Sequence, residues 1–324
     1  MLKLLKKKDF ILFLFIVFVS LIISLRYPRF LTLSNLGDIF KDTVILIIVA
    51  IGQMMVIITA GIDLSVASGI ALTGMSVGLL NQHYPGIPIP LIILISMLIG
   101  GALGSFNGLL IAYAFIPPII MTLGTMSIYR GFVFVLSGGT WVSAHEMTDG
   151  FKAISGGHVL GIPNLFIFAA IIIALFAFFL NKTKTGREIY AIGGNELGAK
   201  YVGVNVKKIK YYVYLLSGVI YGLAGLLWVS RYASAQNDTA MGFELQTVAA
   251  CVIGGVSIMG GSGSVTGVIL GALFLGIVYN ALTVTNVSPF WRMAIAGFLI
   301  LIAIIVNTIA KKRTQYMMIK RRVF

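Results

Sequence analysis

The sequence predicts an all-α polytopic membrane protein of about ten transmembrane helices with an inverted internal repeat. Three observations predict it: too little charge for a water-facing surface, apolar runs of bilayer length along the whole chain, and two pairs of segments that echo each other in order. Of the 324 residues, 59% are hydrophobic and only 10% charged, against roughly 25% charged in a soluble domain. Lipid must therefore cover much of the outside. Because the apolar runs are spread throughout, residues 1–324 are expected to form one membrane domain with no separate soluble part.

A bilayer core needs roughly 20 apolar residues per helix. Candidate spans fall at 10–25, 43–60, 63–80, 89–114, 118–137, 164–180, 211–230, 243–258, 264–285 and 290–309. The runs are continuous, which favours helices; barrel strands alternate and are about ten residues long. The basic start with Lys3, Lys6, Lys7 and Lys8 could open a signal peptide, but the apolar run ends at Arg26-Tyr27-Pro28 with no small-x-small cleavage site. An uncleaved first span is the better reading.

Charge sets the orientation. With the N-terminus in the cytoplasm, the inner segments hold the first four lysines, the seven positives of 181–210 and the six of the C-terminal tail. The outer segments hold Arg26, Arg29, Lys41, Lys152, Arg231 and Arg292. Seventeen positives against six is a positive-inside bias. This topology signal accounts for the net charge of +14 better than nucleic-acid binding does. Both termini are expected to be cytoplasmic. Segment 138–163 becomes an outer loop and 181–210 a basic cytoplasmic loop.

The repeat lies in GIDLSVAS (Gly61–Ser68), echoed by GFELQTVAA (Gly242–Ala250), and in GSFNGLLIA (Gly104–Ala112), echoed by GSVTGVILG (Gly263–Gly271). Both echoes are displaced by five spans. Five is odd, so the copies must run in opposite directions through the membrane, spans two to five against seven to ten. Such repeats place a solute path at their interface. Recurrence of small residues in membrane helices is the competing explanation. Asp63 and Glu244 then sit near opposite faces, each at a helix start. There a carboxylate can cap free backbone N–H groups or line the central path or a gate. Arg130, inside the fifth span, either snorkels to headgroups or faces the path. Gln53, Asn107, Tyr129, Trp228 and Asn280 are the other path candidates; each is also a plausible helix–helix contact.

Several chemistries are missing. GGSGSVTG (Gly260–Gly267) lacks the lysine a nucleotide loop requires. His83, His145 and His158 are scattered without metal-ligand spacing. The single cysteine, Cys251, excludes an internal disulfide. No catalytic residues and no metal are expected.

Within the cytoplasmic loop, Asn195 to Gly203 reads as a short helix with Asn195 as N-cap and Gly203 as C-terminal stop. Leu197 and Tyr201 share a face. Two turns are not stable alone, so this helix needs a surface, either the protein's own helix ends or a partner's groove.

At these residues the chain resembles the permease subunit of carbohydrate-type ABC importers, the ribose, xylose, rhamnose and autoinducer-2 family. The matching stretches are Thr59–Val66, the loop from Gly186 to Asn205 with GGNELGAKYVGVNV, and Gly242–Gly267. The resemblance implies import of a monosaccharide or a sugar-like molecule such as autoinducer-2 across the bacterial cytoplasmic (inner) membrane. It implies a fused double ATPase holding ATP and Mg, a second permease copy or paralogue, and an external solute-binding protein. Asn195, Glu196, Leu197, Lys200 and Tyr201 would form the ATPase-coupling helix, and Trp141 in the outer loop would contact the binding protein or sit as an interface aromatic. An ion-coupled secondary transporter is the alternative, since inverted repeats suit it equally.

Overall fold

The computed structural model describes residues 7–285 and scattered positions between 288 and 305. The expected tenth span, 290–309, and the basic C-terminal tail therefore lie mostly outside the described residues. The long helices are α1 (Lys7–Arg26), α2 (Leu33–Ile58), α3 (Val66–His83), α4 (Ile89–Tyr113), α5 (Pro118–Ser137), α7 (Asn164–Lys182), α10 (Val206–Tyr232) and α12 (Val265–Val284). Shorter helices are α6 (Asp149–Gly156), α8 (Lys184–Gly194), α9 (Glu196–Tyr201) and α11 (Phe243–Ile253). A two-stranded hairpin, β1 (His158–Val159) with β2 (Ile162–Pro163), precedes α7.

Among the described residues, α1, α2, α4, α5, α7, α10 and α12 are long and apolar enough to cross a membrane. Two expected spans take a different form. Span three starts as a helix only at Val66, after the non-helical segment 59–65. Span eight is helical only through Ile253. The apolar run continues to Met259, but Gly254-Gly255 interrupts it, and Gly255, Gly260 and Gly261 take positive φ. An 11-residue helix rises about 16 Å, roughly half the hydrocarbon thickness.

The centre of the bundle is α2, buried continuously from Thr43 to Ile58. That stretch, TVILIIVAIGQMMVII, has no polar face, as befits a helix packed on every side. It rests on α12 and α11 on one flank and on α10 and α7 on the other. Beside it, α10 packs most extensively on α4 and α3. By contrast, α1 packs on α12 and leaves Phe10, Phe13, Leu14, Phe18 and Leu21 exposed, which suits a lipid-facing periphery.

The α4–α10 contact depends on small residues. Ser96, Gly100, Gly104 and Gly108 recur every fourth residue on α4; the first three face Gly218 and Gly222 of α10, and Gly108 faces Tyr211 and Tyr214. A Cβ at Gly104 would lie 2.3 Å from the Tyr214 carbonyl oxygen and 2.7 Å from Gly218 Cα. Backbones this close gain dispersion along the whole crossing, the driving force available where lipid is as apolar as the side chains.

The bundle has two ends. One, the basic end, carries α8 and α9. There Ile58 O accepts from Gly261 N at 2.9 Å, and Tyr190 Oη donates to Gly263 O at 3.0 Å. The glycine-rich segment 254–264 thus knits α11 and α12 to α2 and α8. The other end carries residues 138–163. Asn81 of α3 accepts from Thr148 N at 2.9 Å, Gln82 donates to Glu146 at 2.7 Å, and Ser155 N–H donates to Ser230 Oγ of α10 at 2.9 Å. The 138–163 segment is therefore a folded cap bound to both α3 and α10.

Gly104→Leu should drive α4 from α10 and destabilise the protein by about 2 kcal/mol or more, read as a lower midpoint for thermal unfolding in detergent. Gly124→Leu, at a position with nothing within 4 Å of an added Cβ, should leave that midpoint unchanged.

Candidate functional site

Two non-helical connectors, one at each end of the bundle, fold back toward its middle. The first, residues 59–65, joins α2 to α3. Ala60 takes φ 60° and turns the chain, and Gly61 N–H returns to Val56 O at 3.0 Å. With its amide oriented to satisfy both groups, Gln53 donates to Asp63 O and accepts from Asp63 N, each at 3.2 Å. Gln53 lies five residues before the end of α2, so the connector re-enters by about 7.5 Å.

Asp63 is fully buried. Its Oδ1 accepts from Ser65 N at 2.9 Å and from Ser65 Oγ at 2.6 Å, and Asn107 Nδ2 of α4 donates to Ser65 Oγ at 2.9 Å. Thr122 Oγ1 of α5 donates to Ile62 O at 3.1 Å. Side chains of α2, α4 and α5 therefore satisfy one interrupted backbone, which sets where α3 begins. Asp63 Oδ2, Asn107 Oδ1 and the Tyr214 and Tyr221 hydroxyls have no hydrogen-bond partner among the described residues.

The second connector, residues 233–242, joins α10 to α11. Ala233, Ala240 and Gly242 take positive φ. Val142 and Ala235 exchange backbone hydrogen bonds at 3.1 and 3.0 Å. Ser137 Oγ donates to Asn237 Oδ1 at 2.8 Å, and Asn237 Nδ2 donates to Gly139 O at 2.9 Å. Arg130 Nη1 donates to the carbonyls of Asn237 and Thr239 at 2.9 and 3.0 Å. Arg130 thus turns to the connector. The same Asn237 is held by Ser137 and Gly139, so the connector lies against the last two turns of α5.

Against α5, between the first turn of α3 and the second connector, lies an open cleft of about 480 Å³. Ala67 in the first turn of α3 and Glu244 in the first turn of α11 both line it, with Met126, Arg130 and Phe134 of α5 and Asp238 of the second connector. The first turns of two short-started helices therefore meet at one space. Each of these turns carries free N–H groups, and Glu244 sets a carboxylate against the positive end of α11.

The remaining candidates are spread. Tyr129 Oη donates to Leu103 O of α4 at 2.9 Å. Trp228 packs edge-on against Phe243 with ring centroids 5.0 Å apart. Asn280 of α12 exchanges amide hydrogen bonds with Asn35 of α2 at 2.9 and 3.0 Å. Gln53, Asp63 and Asn107 come together, while Glu244 lines the cleft with Arg130. The sequence reading missed Ser65, Thr122 and Asp238; a serine two residues after a buried aspartate was the available signal for the first. Among the described residues no group of His, Cys, Asp and Glu is arranged to hold a metal ion.

At the basic end, Asn195 Oδ1 accepts from Gly198 N at 2.9 Å and caps α9. Gly203 ends it with φ 87°. Glu196 is tied to Lys210 of α10 at 2.8 Å. Lys200 lies in the last turn of α9, while Leu197 and Tyr201 are 68% and 89% exposed. At the opposite end Trp141 is also exposed.

Residues 35–304 match the family model described as branched-chain amino acid transport system / permease component. The ribose import permease protein RbsC of Haemophilus influenzae is 37% identical over 298 residues, covering 91% of each chain. The autoinducer 2 import system permease protein LsrC of an Enterobacter species is 34% identical over 299 residues, 92% of this chain and 86% of the relative. RbsC of Escherichia coli K12 is 37% identical over 290 residues, 88% of this chain and 89% of the relative. No solved structure matches significantly. A family match over most of the chain, on an all-helical bundle with several membrane-length helices, leads to one conclusion: the chain belongs to this family of transport-system permease components.

Proposed function

We propose that the chain is the permease subunit of an ATP-driven importer that carries a monosaccharide, or a sugar-like molecule such as autoinducer-2, across the bacterial cytoplasmic membrane. The relatives named for ribose and autoinducer 2 import support the solute class. The observation that carries the path is one cleft against α5 at which the first turn of α3, the second connector and the first turn of α11 meet.

The same observation supports an inverted repeat of spans two to five against seven to ten, with α3 and α11 as its interrupted members. Packing exchanges between the halves: α2 rests on α11 and α12, and α10 rests on α3 and α4. In this reading the basic end and both termini are cytoplasmic. Residues 138–163 face outward to receive a solute-binding protein, with Trp141 among its contacts.

Residues 181–210 would form the coupling loop. Leu197 and Tyr201 present an apolar face too exposed to be covered by this chain, which suits docking on an ATPase subunit; Asn195 shapes the helix, Glu196 anchors it to α10, and Lys200 stands beside the face. ATP and Mg would bind on that partner, a fused double ATPase, and a second permease copy or paralogue would complete the pore. Movement of α9 would reach α10 through the Glu196–Lys210 pair and so bear on the α3 and α4 contacts.

Three outcomes test this reading. Leu197→Asp with Tyr201→Asp should cut copurification with the ATPase at least tenfold while membrane insertion is unchanged; undiminished copurification rules out the docking face. Single cysteines at Val202 and Leu160, in a Cys251→Ala background, should react with an impermeant thiol reagent from the cytoplasmic and external sides respectively. The reverse pattern would invert the topology. Asp63→Asn keeps an acceptor for Ser65 and should retain most ATP-driven uptake in proteoliposomes, whereas Asp63→Ala should lose about 1–2 kcal/mol of stability. Loss of all uptake in Asp63→Asn, with wild-type uptake driven by an ion gradient without ATP, would favour a secondary transporter.

A further inference from the structure

We propose that the cavity between α3, α5 and α11 is a selectivity station that holds neutral polyhydroxylated solutes and turns away anionic ones, phosphorylated sugars included. The inference rests on the importer reading but concerns the chemistry of one space within it.

Three charged groups line this cavity: Arg130, Asp238 and Glu244. Arg130 is fixed, because both Nη1 hydrogens are used on the carbonyls of Asn237 and Thr239. Its Nε–H and the Nη2 hydrogens have no protein partner among the described residues. The two carboxylates are the groups whose field reaches the guanidinium most strongly, yet neither forms an ion pair with it among the described residues. A cation and two anions therefore share one space without closing on each other.

Such an open set has a specific use. A charge facing hydrocarbon costs about 2.5–3.5 kcal/mol even on permissive scales, so three of them grouped in one cleft belong beside water or a polar solute. A hydroxyl can fill the gap, accepting from the guanidinium while donating to a carboxylate. Adjacent hydroxyls match the planar fork of Arg130. Phe134, Met126 and Met241 add an apolar wall for the C–H face of a sugar ring. Apolar walls with a few fixed polar groups are the usual make-up of a small-molecule site, and about 480 Å³ is within the usual range of volumes.

The balance of formal charge, one positive against two negative, makes the cavity net negative. An anionic solute meets repulsion there, because Arg130 is already engaged by two carbonyls and outnumbered by carboxylates. A neutral polyol meets donors and acceptors together.

The test uses full-length permease in proteoliposomes with Ser127→Cys, a cavity-lining, exposed position, and Cys251→Ala. Cationic and anionic methanethiosulfonates are compared, each relative to its rate with a small free thiol. The cationic reagent should react about tenfold faster than the anionic one. Adding Asp238→Asn and Glu244→Gln should reverse that preference, and Arg130→Gln should enlarge it. Ribose should slow the modification several-fold and ribose 5-phosphate at the same concentration should not. No reaction with either reagent, no charge preference, or equal effects of the two sugars, including none, overturns the proposal. ATP-driven uptake by the assembled complex is measured separately. Its absence would count against the importer reading without altering the labelling ratio.

Discussion

The peptide groups of two interrupted helices must find partners inside a lipid-covered bundle, and much of the architecture follows from that constraint. A continuous helix satisfies its own backbone; a broken one in hydrocarbon leaves N–H and C=O groups that cost several kcal/mol each if unpaired. In the first break, Gln53, Thr122 and the Asp63–Ser65–Asn107 chain supply the missing partners. In the second, Arg130 and Val142 do so, while Ser137 holds the Asn237 side chain. These groups come from α2, α4 and α5 and from the start of the 138–163 segment, so each break fixes the relative positions of several long helices.

The breaks need close packing to hold them. Where Gly104 meets Gly218, two backbones approach to a distance that admits no Cβ, and α10 is thereby locked to α4. At the basic end, Gly193 stands so close to Ile58 O that an added Cβ would collide with it. This binds α8 to the end of α2, next to the first break. The glycines that make the sequence look low in information are where the elements are held nearest each other.

This arrangement gives a physical basis for coupling. The cap formed by 138–163 holds both α3, through Asn81 and Gln82, and α10, through Ser230. These helices flank the two breaks. Displacement of the cap or of α9 therefore acts on helices that adjoin the two breaks, and discrete repacking of such elements is how small shifts at a surface become changes of access.

What the sequence by itself determined is the class: the scarcity of charge, the run lengths and the positions of most long helices, α4 and α5 within a residue of expectation. The ordered echoes also singled out Asp63 and Glu244. Hydropathy could not reveal that span three begins with a re-entrant segment, nor that span eight stops at Gly254. Both stretches are apolar, and the break is decided by positive-φ residues and by partners distant in sequence. Only the tertiary structure brought Gln53, Asp63 and Asn107 together while pairing Asn280 with Asn35 and sealing Trp228 against Phe243. Polar side chains in apolar helices look alike in one dimension. Which of them face a cavity and which bridge two helices depends on helix rotation, and that is set by the close fit of small residues across interfaces such as α4–α10.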